Sequence, residues 1–194
     1  MNYHNITYPD MNNGSGLRVV LWCSACSHHC VGCQNPQTWD ANSGIPFDEK
    51  AEEELFRELS KDYISGLTLT GGDPLHENNL DDILRIVNKI RLLLPEKNIW
   101  LYTGYTVKEI YNDRFILSPS ASDIASSEPD YIVVEESLKD KKRSDIIKQC
   151  DVLVDGRYID KLRDVSLHWC GSSNQRVIDI KQTLNKGEVV LWAT

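Results

Sequence analysis

Between Leu21 and Trp39 the chain reads LWCSACSHHCVGCQNPQTW, and this segment constrains the fold more than any other. Four of the six cysteines lie in it. Leu17 to Trp22 is an apolar, β-prone run that reads as a buried strand. The cysteines therefore sit on a loop just past a strand end, which in α/β folds is where ligands and reacting groups collect. Cys26, Cys30 and Cys33 put three thiols on one short loop. Cys23 falls at the strand end, where its side chain can point away from that loop.

Three chemistries suit such a loop. A structural zinc ion wants four ligands, usually as two separated pairs. Here the sulfurs crowd into one segment and no second pair follows. A disulfide needs an oxidising compartment, and the opening MNYHNITYPD lacks the charged and apolar regions of a secretory signal. An iron–sulfur cubane normally takes four thiolates. Three of them would leave one iron open to bind something else.

Length and charge narrow the class further. With 194 residues the chain can build one domain with a sizeable core. Its 21 Lys and Arg against 29 Asp and Glu leave a net charge of −8, which disfavours nucleic acid, and no basic stripe with interleaved aromatics is present. No apolar run approaches the ~20 residues of a membrane helix. The expectation is a cytoplasmic protein whose thiols stay reduced.

Along the chain, residues 1–16 are polar and turn-rich and read as a flexible loop, or as glycines that let backbone approach a cofactor. Asp48 reads as the N-cap of a helix with Ala51, Leu55 and Leu59 on its inner face and Glu49, Glu52, Glu53, Glu54 and Glu58 in solvent. Gly66 to Thr70 reads as the next strand and runs into Gly71-Gly72-Asp73-Pro74-Leu75, either a simple turn or a second strand-end ligand loop. Asn79 to Leu94 carries a helical stripe stopped by Pro95. Asn98 to Thr103 reads as a strand and Val107 to Tyr111 as a short helix. Tyr131 to Val134 reads as an extra strand, and Lys139 to Arg143 as a solvated charge run. Asp151 to Val154 reads as a buried strand, followed by Asp155-Gly156 and, from Val177 to Trp192, a terminal hairpin turning at Asn185-Lys186-Gly187. His28, His29 and His76 read as exposed loop histidines. The alternation of strands and helices predicts an α/β fold with a mainly parallel sheet. Periodicity alone does not separate a partial barrel from a doubly wound sheet.

Cys26-x3-Cys30-x2-Cys33 resembles the signature of radical S-adenosylmethionine enzymes. Asn13-Gly14, Gly16-x-Arg18, Leu21-Trp22, Cys33-Gln34-Asn35-Pro36, Leu101-Tyr102-Thr103-Gly104-Tyr105 and Gly171-Ser172-Ser173-Asn174-Gln175 together resemble the anaerobic ribonucleoside-triphosphate reductase activating family, over roughly residues 1–112 and 146–176. Two positions depart from that family's usual pattern: Ala25 stands where Gly is usual, and Val31 where Pro is frequent.

The resemblance implies a single domain over 1–194, a partial (β/α) barrel open on one side, with a peripheral insertion at about 115–145. It implies a [4Fe-4S] cluster on Cys26, Cys30 and Cys33, without Cys23, Cys150 or Cys170. It implies S-adenosylmethionine held between the Gly32-Cys33-Gln34 backbone and the Gly71-Gly72-Asp73 loop, with no catalytic residue beyond the cluster ligands. The activity implied is reductive cleavage of that cofactor and formation of a glycyl radical on the large subunit of the anaerobic reductase. A small flavodoxin-type or ferredoxin-type protein would supply the electron. The rival readings are another small enzyme of the same superfamily, acting on a small molecule or a different glycyl-radical enzyme, and a zinc-stabilised binding module.

Overall fold

A repeat of two along four strands sorts their side chains onto the two faces of one sheet. The computed structural model describes residues 1–111 and 138–193. Seven strands, β1 (Asn2–Asp10), β2 (Arg18–Cys23), β3 (Ile45–Pro46), β4 (Gly66–Gly71), β5 (Asn98–Tyr102), β6 (Val152–Asp155) and β7 (Arg176–Asp179), form an open sheet in the order β3-β1-β2-β4-β5-β6-β7. The central four, β2, β4, β5 and β6, are parallel, and the outer strands pair antiparallel.

Val19, Leu21 and Cys23 of β2, Leu67 and Leu69 of β4, Ile99 and Leu101 of β5 and Leu153 of β6 face one way into the main core. Helices α1 (Glu49–Leu59), α2 (Leu80–Leu93), α3 (Val107–Tyr111), α4 (Leu138–Lys148) and α5 (Ile180–Lys186) bring their apolar residues to that core. The α1 helix starts where the sequence places it, with the Asp48 carboxylate accepting from Ala51 N at 3.0 Å. Residues of the opposite phase, Trp100 and Tyr102 of β5 with Val152 and Val154 of β6, form a second cluster with Trp169, Val177 and Trp192. Arg18 is fully buried on this side, donating to Thr68 Oγ1 at 2.6 Å and Leu67 O at 2.6 Å, its guanidinium over the Trp100 ring.

Several expectations change. Residues 2–10 are not a loop but β1, because Tyr3 and Ile6 have somewhere to be buried once β2 offers an edge. The terminal segment is not a hairpin. Asp179 caps α5 by accepting from Gln182 N at 2.9 Å, and Gly187 ends it in the left-handed region at φ +71°, a conformation glycine adopts without Cβ strain. Leu191 keeps only an isolated bridge to Ile178. Glu58 is not in solvent but 5 % exposed, bonded to Arg57 and Lys61.

The anticipated strand at Tyr131–Val134 lies outside the described residues. Of the anticipated insertion, residues 138–145 form the start of α4, which packs along α2 and buries Ile146 and Ile147. The charge run there is tied down: Lys139 pairs with Glu77, Lys142 with Asp81, and Arg143 donates to Leu75 O at 3.0 Å.

Candidate functional site

The face of the sheet opposite the described helices ends in a cleft of about 450 Å³, at the C-terminal edge of the parallel strands. Trp22, Thr70, Tyr102 and Val154 supply its floor from β2, β4, β5 and β6 in turn. Cys30, Cys33, Gln34 and Asn35 form one wall, Asn12 and Asn13 another. The connection from β6 to β7 closes a third through Tyr158, Trp169, Cys170 and Gln175. Of the Gly171–Gln175 segment singled out in the sequence, Gly171 and Gln175 reach this wall.

The cysteine loop has no regular structure, so its shape depends on individual hydrogen bonds. Cys26 N donates to Trp39 O at 3.1 Å, Cys33 N to Cys30 O at 3.1 Å, and Asn35 N to Cys33 Sγ at 3.3 Å. Cys26, Cys30 and Cys33 are free and half-buried. Burial pushes the Cys26 thiol up to about 11 against the opposing pull of the His28 and His29 backbone N–H groups. Burial likewise raises Cys30, opposed by the Tyr158 backbone N–H. The same N–H groups that point at sulfur would favour a metal-bound thiolate. Gly32, at φ +76°, packs so closely that a Cβ would lie 2.7 Å from Asp160 Oδ1.

Ala25 (φ +69°), His29 (φ +46°) and Trp169 (φ +61°) are the non-glycine residues with left-handed backbone among those described. Trp169 lines the cleft, and Ala25 and His29 belong to the cysteine loop; strained backbone tends to gather at such sites. The Gly usual in the resembling family would relieve Ala25.

The other cysteines separate cleanly. Cys23 is wholly buried on the helix side of the sheet, its thiol pushed up to about 12 by burial, and Cys150 is buried beside α4. Cys170 shares the cleft, half-buried, with its thiol raised to about 11 by burial.

The glycine turn after β4 is stitched to the cysteine loop. Gly72 N donates to Cys23 O and Asp73 N to Ala25 O, each at 2.7 Å. A Cβ on Gly72 would stand 2.5 Å from Ala25 O, so a side chain there would strike the cysteine loop before it filled any ligand space. Of the six positions expected to meet a cofactor, Cys33, Gln34 and Gly72 border the cleft. Gly32, which is exposed, Gly71 and the buried Asp73 are not among its lining residues. The Asp73 carboxylate is 1 % exposed and turned inward, accepting from Leu75 N at 2.8 Å, Thr103 Oγ1 at 2.9 Å and Gly104 N at 3.1 Å.

His28 is not an exposed loop histidine. Its side chain is 5 % exposed, with Nε2 at 2.7 Å from Asp73 Oδ2. His29 does face solvent and leans on Trp39. His76 is half-buried, accepting from Asn78 N at 3.2 Å. Asp155 does not reach the cleft; it bonds Val107 N at 2.9 Å and Arg176 Nε at 3.0 Å. Sequence reasoning placed Tyr102 in a family-like segment but gave it no role at the site. The Tyr102 hydroxyl is buried on the cleft floor without a hydrogen-bond partner among the described residues, and burial raises its pKa.

Three free thiols on one loop, N–H groups aimed at two of them and an adjoining cleft form a donor set suited to an iron–sulfur cluster. The cleft volume falls in the range of small-molecule and cofactor sites, and the unpartnered Tyr102 hydroxyl offers a polar group for a ligand to satisfy.

Comparisons with known proteins agree with this chemistry. Residues 12–178 match the family model described as a 4Fe-4S single cluster domain. The anaerobic ribonucleoside-triphosphate reductase-activating protein of Escherichia coli strain K12 is 37% identical over 179 residues, covering 91% of this chain and 97% of its own length. The protein of that name from Enterobacteria phage T4 is 38% identical over 177 residues (91% and 93%), and that of Pasteurella multocida 35% over 184 residues (94% and 99%). The chain therefore belongs to the 4Fe-4S single cluster class and, within it, to the anaerobic ribonucleoside-triphosphate reductase-activating protein family. Among the described residues no helix is long and apolar enough to cross a membrane.

Proposed function

We propose that the protein activates an anaerobic ribonucleoside-triphosphate reductase by placing a glycyl radical on its large subunit. The observation that carries this reading is the loop of three free thiols, two of which, Cys30 and Cys33, line the cleft on the sheet face opposite the described helices. Cys26, Cys30 and Cys33 would hold the cluster; Cys23, on the other face, and Cys150 would not. Cys170 stays a wall residue. A [4Fe-4S] cluster held by these thiolates would supply the one electron needed for reductive cleavage of S-adenosylmethionine to methionine and a 5′-deoxyadenosyl radical, the species that would take a glycine α-hydrogen.

This chain's own residues bind, orient and exclude water. The backbone of Gly71-Gly72-Asp73 and of Gly32-Cys33-Gln34 would bracket the methionine part, with the Asp73 side chain bracing the turn from behind. The Tyr102 hydroxyl would donate to the nucleoside part. An open sheet whose described helices pack on one face supports a partial (β/α) barrel as the architecture, in a single domain over 1–194. The barrel's open side would admit a glycine-bearing loop of the partner, since only glycine enters a narrow cleft without a side chain. A flavodoxin-type or ferredoxin-type protein would deliver the electron, in the cytoplasm.

The test is anaerobic mixing of the reconstituted protein, S-adenosylmethionine and a reductant with the reductase, read by electron paramagnetic resonance. A doublet on the reductase, with deuterium passing from its glycine α-carbon into 5′-deoxyadenosine, is expected. Cofactor cleavage without radical or label transfer would replace this reading with a small-molecule substrate.

A further inference from the structure

The three residues between Cys26 and Cys30 include one buried side chain, His28, and its contacts are unlike those of a spacer. Its Nε2 lies 2.7 Å from Asp73 Oδ2, with both side chains almost fully buried. Its Nδ1 is 3.1 Å from Arg157 Nε, which carries a hydrogen and can only donate. Nδ1 is therefore the acceptor, and Nε2 carries the hydrogen given to Asp73. The ring edge rests on Tyr105 with centroids 4.7 Å apart. It fits against Gly104 so tightly that a Cβ there would stand 2.3 Å from the imidazole.

We infer that His28 is a positioning residue that fastens the cysteine loop to the Gly71-Gly72-Asp73 turn, so that cluster and cofactor keep one relative placement. The imidazole stands at a junction. Asp73 follows β4 and also holds Thr103 and Gly104 beyond β5, while Arg157 follows β6. One ring thus ties the loop after β2 to the ends of the other three parallel strands. His28 does not line the cleft, so it acts through the loop and not on a ligand. The placement of cluster and cofactor rests on the function proposed above; the fastening of the loop does not.

Two measurements separate these. In the metal-free protein, alkylation of Cys26 and Cys30 by iodoacetamide reports loop opening. Losing a buried hydrogen bond to a carboxylate should speed it about tenfold in His28→Ala, with Cys150 unchanged. His28→Gln, which keeps a donor for Asp73, should recover most of the protection. In the reconstituted protein, the change that S-adenosylmethionine makes in the spectrum of the reduced cluster should be lost in His28→Ala and restored in His28→Gln. Alkylation at the wild-type rate in His28→Ala, or a gain equal at Cys150, overturns the inference. So does a cofactor-induced spectral change that survives His28→Ala. Should His28→Ala lose its fold, Arg157→Ala frees Nδ1 from a half-exposed side chain. It should speed alkylation about threefold, and an unchanged rate again overturns the inference. A wild type that takes up no cluster defeats the proposed function but leaves the alkylation result to judge the loop.

Discussion

At the scale of single residues, the cysteines fall into two groups that substitution should separate. Alanine at Cys26, Cys30 or Cys33 is expected to abolish iron and sulfide retention after anaerobic reconstitution, whereas Cys150→Ala should keep the cluster and cost about 1 kcal/mol of stability from its buried site. Full retention in Cys30→Ala would contradict the ligand assignment. Gly72→Ala gives a different kind of outcome. Its Cβ meets Ala25 O, so it should lower both iron retention and cofactor affinity, not affinity alone. Normal iron content with weakened cofactor binding would show that the turn can shift without moving the cysteine loop. The burial of His28 was not legible in the sequence, because a histidine pair in a polar loop carries no periodicity. Only the fold brings Asp73, 45 positions away, to its Nε2.

At the scale of elements, local chemistry sets the ends of helices and shape sets the spacing of strands. Asp48 accepts from Ala51 N, and Asp48→Ala should cost about 1 kcal/mol, visible as a lower Tm, because the first turn of α1 loses its cap. An unchanged Tm would mean that another group takes over that N–H. Gly66 is held to its residue type by tertiary contact. A Cβ there would stand 1.9 Å from Asn98 O, so Gly66→Ala must push β4 from β5 and should cost about 2 kcal/mol or more in denaturant unfolding. The central strands were legible as short apolar, β-prone runs, since a parallel strand buried on both faces needs no alternation. The ends of the chain were not. For β1 the deciding factor was an available edge on β2, and for α5 a cap and a glycine stop that a weak alternation concealed.

At the scale of the whole molecule, Asp151 joins four elements. It accepts from Arg91 Nη2 of α2 at 2.6 Å, from Lys181 Nζ of α5 at 2.7 Å and from Ile99 N of β5 at 2.8 Å, just before β6 begins. Burial alone would raise its pKa; the hydrogen bonds from Lys181, Arg91 and the Ile99 N–H outweigh it and hold the carboxyl below its ordinary value. A depressed native pKa contributes stability that is complete above about pH 4 and lost as pH falls below that, through the native value. Asp151→Asn should therefore lower stability near neutrality by about 1–2 kcal/mol and flatten the acid limb of the stability curve. Denaturant titrations between pH 7 and pH 3 measure both, and an acid limb as steep as the wild type's would assign that sensitivity to other carboxylates.

The sequence by itself determined the α/β class, the three-thiol loop beyond β2, the existence of the parallel strands and the family. Each of these is written locally: cysteines with three and two residues between them, short apolar runs alternating with helical stripes, a cap before a helix. Only the tertiary structure decided that Cys23 faces the helices while Cys170 joins the cleft, that Asp73 braces from behind, and that His28 ties four strand ends together. The reason is geometric. A parallel sheet gathers the ends of strands far apart in the chain onto one edge, and contacts made across that edge leave no period in the sequence.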